Sequence, residues 1–256
     1  MRPVLAIVRA MILELFRKKD FYVLLIFLLV LLSLLSAQSF FDIEGISRYI
    51  RDFGYTLSVF FSLIVAVTFS ARQIPEEITT RTVYPTLAKP ISRFTLVLGK
   101  FSGCVAVSVI SFALYFGVFT AFCMVEKQAM DPVLVLQSFY FGVLFLCLIS
   151  AMVMFFSIFL TVSANVTISF LLYFLITMFS SPLRDLALTG KAASSVFLGI
   201  LYYLVPHFDF FDLRIRLVHA WDPLEAWVVA AVTVYAIAYC ALLLYLAGAV
   251  FRRKKL

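Results

Sequence analysis

The sequence predicts an all-α, polytopic membrane protein. Six transmembrane helices are expected, with an N-terminal amphipathic surface helix and a short outer re-entrant or interfacial helix. Three observations carry this. Of 256 residues, 64% are hydrophobic, and the mean hydropathy is +1.08. Charged residues make up 14%, about half their share in an average soluble domain. Charge-free apolar runs repeatedly reach the roughly 20 helical residues that a bilayer core requires.

The elements follow in order. Residues 1–19 place Val4, Ile7, Val8, Met11, Ile12 and Leu15 at helical spacing among Arg2, Arg9, Arg17, Lys18 and Lys19. That pattern predicts an amphipathic helix on the membrane surface. A cleavable signal is not expected, because the apolar run after Lys19 is too long for a signal core. Phe21 to Phe41 is the first span, Phe53 to Ala71 the second and Phe101 to Val125 the third. Val133 to Leu183 is charge-free throughout, so it holds two spans, with a turn expected around Ser163 to Asn165. Ala192 to Pro206 is apolar but too short to span, which suggests a re-entrant or interfacial helix within the outer segment 184–225. Ala226 to Phe251 is the sixth span. The whole of 1–256 reads as one transmembrane domain.

The charges orient this plan. With both termini inside, the inner segments hold 14 of the 21 basic residues, and the outer segments hold 10 of the 14 acidic ones. The positive-inside rule therefore predicts cytosolic termini and puts the polar segment 72–100 in the cytosol. The net charge of +7 follows the lipid bilayer, so a nucleic-acid partner is not expected. No Asp, Glu, Lys or Arg falls inside the six spans, whereas ion-coupled carriers place such groups at membrane depth. Cys104, Cys123, Cys147 and Cys240 lie in apolar runs and read as small core residues without metal-ligand spacing. Ser108, Ser111, Thr120, Ser150, Ser157, Thr167, Ser169 and Thr177 are expected to make helix–helix hydrogen bonds.

The polar segment reads "RQIPEEITTRTVYPTLAKPISRFTLVLGK", Arg72 to Lys100. Its Glu76-Glu77-x-x-x-Arg81 spacing resembles the first motif of the intramembrane Abi/CAAX-type metalloproteases, where a glutamate activates water with help from histidines. That alternative needs partners within hydrogen-bond reach. The two histidines, His207 and His219, fall on the predicted outer side. Pro75 instead marks a helix start with Glu76 and Glu77 in its first turn.

A longer pattern fits better. Glu77, Thr82, Leu87, Lys89, Pro90, Ile91, Ser92, Arg93, Gly99 and Lys100 resemble the cytoplasmic loop of type-2 ATP-binding-cassette (ABC) exporter permeases. The outer stretch Tyr203 to Arg214 and the six-span plan are also similar to that family. The sequence departs from it at Arg81, where a glycine is usual, and at Pro85, which shortens the expected docking helix to Glu76–Tyr84. The resemblance implies an exporter subunit in a bacterial inner membrane, coupled to a separate ATPase. Glu76, Glu77, Arg81, Thr82, Lys89, Pro90, Ser92 and Arg93 would then form the coupling surface. It also implies a second permease subunit, identical or related, with the path between the two. Lys100 is expected to anchor at the membrane interface. Gly99 and Gly103 form a Gly-x-x-x-Gly suited to close helix packing. His207, Asp209, Asp212 and Arg214 are expected to form an outer polar rim. No Gly-x-x-x-x-Gly-Lys-[Ser/Thr] phosphate loop is present. The chain is thus expected to be no enzyme and to hold no cofactor, with ATP and Mg bound by the partner ATPase.

Overall fold

The computed structural model describes residues 2–37, 46–76, 93–126, 130–189 and 205–253. In chain order they form α1 (Arg2–Arg17), α2 (Lys19–Ala37), α3 (Ile46–Arg72), α4 (Arg93–Val125), α5 (Pro132–Phe156) and α6 (Val162–Thr189). A one-turn 3₁₀ helix (Phe208–Phe211), the short α7 (Arg214–His219) and α8 (Ala226–Arg253) complete it. The secondary structure of the described residues is all-helical, as expected. Among the described residues, five helices are long and apolar enough to cross a membrane, and α1 with α2 makes a sixth only as a pair bent by 55°.

The helices begin and end for local reasons. Asp131 caps α5 by accepting from the Val133 N–H at 2.9 Å, with Pro132 in the first turn. The turn between the fourth and fifth spans lies at Ser157–Thr161, earlier than the expected Ser163–Asn165, which sits in the first turn of α6. The cause is Asn165. Its buried amide donates to the Val153 carbonyl at 3.1 Å, so this polar side chain closes the turn from inside the following helix. α4 likewise starts before the expected Phe101, at Arg93.

α3, α4 and α5 make the core. Phe112, Phe119 and Phe141 are fully buried there, and Phe112 stacks on Phe139 with centroids 5.3 Å apart. α1 packs on α4. Gly103 allows that contact, because a Cβ there would strike the Met11 thioether. One glycine of the Gly-x-x-x-Gly is therefore used within the chain. α6 and α8 stand at the periphery with exposed apolar faces, including Leu171, Phe174, Met178, Ile237 and Tyr245.

The eight small polar residues expected to bridge helices do not do so. Ser108, Ser111, Thr120, Ser157, Thr167 and Thr177 each donate to a carbonyl three or four residues back on their own helix. Ser169 reaches Asn165 Oδ1, one turn back, and Ser150 Oγ has no partner among the described residues. In an apolar setting the preceding turn of the same helix offers a near acceptor. Other residues make the bridges: Ser58 Oγ, beside its bond to the Gly54 carbonyl, reaches the Tyr115 carbonyl of α4 at 3.3 Å. Tyr115 donates to the Phe21 carbonyl at 3.2 Å, and Tyr140 pairs with Thr233 at 2.9 Å.

Candidate functional site

Among the described residues, the expected site residues fall in two places, one at each end of the bundle. The first is where the polar segment leaves α3 and returns into α4. After Arg72 the chain turns through Gln73 and Ile74, and Pro75 and Glu76 are helical again. Glu76 is exposed. Glu77, Arg81, Thr82, Lys89, Pro90 and Ser92 lie outside the described residues, as do most of the expected helix Glu76–Tyr84 and residues 190–204 of the outer segment. Arg93 opens α4.

The two feet of the segment are joined. Lys100 Nζ on α4 donates to Gln73 Oε1 at 3.1 Å, and Gln73 is buried. Lys100 therefore does more than the interface anchoring expected of it. Below this bond, Ile74 packs with Leu96 and Val97 of α4. The same cluster continues into Ala151, Met154 and Ile158 around the end of α5, and into Leu244, Ala247 and Phe251 of α8. Close-packed interiors transmit displacement rather than absorb it. A shift of either foot is thus shared with α5 and α8.

The second place is a cavity of about 260 Å³ at the opposite end, between α3, α5, α6 and the 3₁₀ turn. Aromatic side chains wall it: Tyr55, Phe60, Phe145, Tyr173, Phe208 and Phe211. Phe208 meets Phe145 edge-on, with centroids 5.5 Å apart. Gly142 also lines it, where a Cβ would collide with the Phe112 ring. Asp209, Asp212 and Arg214 supply its polar rim. Ser180 of α6 donates to Asp209 Oδ2. Asp212 Oδ1 accepts from the Arg214 N–H at 2.8 Å. The Arg214 Nε lies 3.5 Å from Asp52 Oδ1 and 3.9 Å from Asp212 Oδ2, so it has charge partners without an aligned hydrogen bond.

Three of the four expected rim residues therefore share one cavity. The fourth, His207, is buried against α8 instead. Its backbone N–H donates to the Tyr235 hydroxyl at 2.8 Å, and its ring stacks on Phe210 at 5.3 Å. Burial pushes its pKa below the ordinary 6.5, against an opposing pull from Asp209. Gln137, a lone amide in an apolar helix, escaped the sequence reading. Its side chain donates to the Leu224 carbonyl at 2.9 Å and accepts from the Leu224 N–H at 2.8 Å, fastening the approach to α8.

A hydrolytic metal site is not supported. His207 bonds to Tyr235 of α8, whereas the hydrophobic cluster that holds Ile74 reaches Phe251 of the same helix, about 24 Å further along its axis. Among the described residues, no group of three His, Cys, Asp or Glu could hold a metal ion. A family model described as ABC-2 family transporter protein matches residues 13–256. No curated protein matches the chain significantly.

Proposed function

The chain belongs to the ABC-2 transporter family, as a membrane permease of an ABC transporter, and on that premise we propose that it is one half of an export path driven through residues 72–100. Separate ATPase subunits bind ATP and Mg, dock on that polar segment and displace it when they close. Glu76, Glu77, Arg81, Thr82, Lys89, Pro90, Ser92 and Arg93 form the receiving surface. The observation that carries the reading is the clamp beneath it. Gln73–Lys100 and the Ile74, Leu96 and Val97 contacts make the two feet one lever, and a lever is what a soluble motor requires to tilt membrane helices.

A second permease subunit completes the path, and the exposed apolar faces of α6 and α8 are available to it or to lipid. The aromatic cavity with Asp209, Asp212 and Arg214 at its mouth lies on the exit side and acts as a gate. The membrane is a bacterial cytoplasmic membrane with both termini in the cytosol, in agreement with the distribution of Lys and Arg.

Co-purification tests the docking surface. E77A and R93A each reduce the amount of ATPase recovered with the permease and leave membrane insertion unchanged. Full retention of ATPase binding and of coupled hydrolysis in both variants overturns the assignment.

A further inference from the structure

Where α1 bends into α2, a cleft of about 300 Å³ opens against the last two turns of α3. Phe21, Val23 and Leu24 form one wall, and Ile64, Val65 and Phe69 the other. Val23 is 61% exposed, so the cleft opens sideways from the bundle rather than into it. Thr68 is the one uncharged polar residue of the lining, and its hydroxyl already donates to the Ile64 carbonyl at 2.8 Å. The lining is otherwise hydrocarbon, except at one end.

That end carries Lys18 and Arg72. Lys18 Nζ lies 4.8 Å from the centre of the Phe69 ring, and the Arg72 guanidinium carbon lies 5.7 Å from it. Two cations are thus gathered at one aromatic ring, within the range of cation–π attraction. Lys18 is ion-paired with Glu14 at 2.9 Å. Arg72 Nε donates to the Thr68 carbonyl at 3.0 Å, and no described residue accepts from its two terminal nitrogens. Arg9, Arg17 and Lys19 are exposed on α1 and at the bend. Positive charge is in excess around the mouth, beside walls that only an apolar chain would wet.

We infer that this cleft seats one anionic phospholipid. Its phosphate lies between Lys18 and Arg72, and an acyl chain runs along Val23, Leu24, Ile64 and Val65. Charge complementarity selects the headgroup, since a guanidinium whose terminal nitrogens meet no acceptor among the described residues pairs with phosphate in a fixed geometry. The lateral opening selects a bilayer component over a soluble anion. The bound lipid braces the 55° bend between α1 and α2 against α3, the helix that leads into the polar segment.

Native mass spectrometry of the purified full chain, titrated with phosphatidylglycerol or phosphatidylcholine, tests this without any ATPase. Its failure is therefore separate from that of the permease assignment. One phosphatidylglycerol should be retained in preference to phosphatidylcholine. K18Q/R72Q should reduce that preference roughly tenfold or more, as expected for two basic groups beside an anionic headgroup. R48Q, at an exposed residue of the first turn of α3 at the opposite end, should leave it unchanged. Thermal unfolding in lipid-free detergent checks that the double variant folds. Should it not fold, R72Q alone decides the matter in the same titration. Equal retention of the two lipids, or undiminished phosphatidylglycerol retention in the variant, overturns the proposal.

Discussion

Asn165 and His207 show what single polar side chains do in this chain. Asn165 is buried and bonded to the Val153 carbonyl, a contribution of about 1 kcal/mol placed where it determines the position of a turn. His207 is buried near the opposite end, against Tyr235 and Phe210. Burial disfavours the imidazolium, so its folded pKa lies below 6.5. The unfolded chain then binds the proton more readily, and stability rises with pH. The His207 contribution is complete above about pH 6.5 and is lost as pH falls through the depressed folded value. Thermal unfolding in detergent should therefore show a midpoint that drops between pH 7 and pH 5, with a shallower drop in H207Q. Equal slopes in the two proteins would show that the buried imidazole carries no linkage.

Among the elements, the hairpin of α3 and α4 is the part that bears on coupling. Lys100 and Gln73 join its feet at 3.1 Å, and hydrophobic contacts extend the joint to α5 and α8. A partly buried hydrogen bond to a charged group contributes about 1.5–3 kcal/mol. K100M keeps the aliphatic stem and removes the bond. In the reconstituted complex, the ATPase should co-purify with K100M as it does with the parent. Stimulation of ATP hydrolysis by the permease should fall by about fivefold, near 1 kcal/mol of lost coupling. Unchanged stimulation would mean that the feet need no polar clamp. This joint was not legible in the sequence, where Gln73 and Lys100 sit near the two ends of a long polar run and nothing in the spacing pairs them.

At the scale of the molecule, the spans carry no acidic or basic side chain in their apolar stretches. Transport should therefore continue when proton and sodium gradients are collapsed in proteoliposomes that retain ATP and the ATPase. Loss of transport under those conditions would point to an ion-coupled step. The sequence by itself determined the helical fold, the approximate spans and the separation of a basic polar segment from an acidic opposite end. These follow from the energy of placing each residue type in hydrocarbon or water, which depends on local composition alone. Motif spacing carried the family resemblance of the polar segment. Tertiary structure decided the turn at Ser157–Thr161, the use of Gly103 against Met11, the inward seat of His207 and the Gln73–Lys100 clamp. It also assembled the aromatic cavity from helices far apart in the chain and the Lys18–Arg72 cleft from three consecutive ones. Those features depend on which faces meet, and an apolar run records that a helix will be buried or lipid-facing without recording its neighbour.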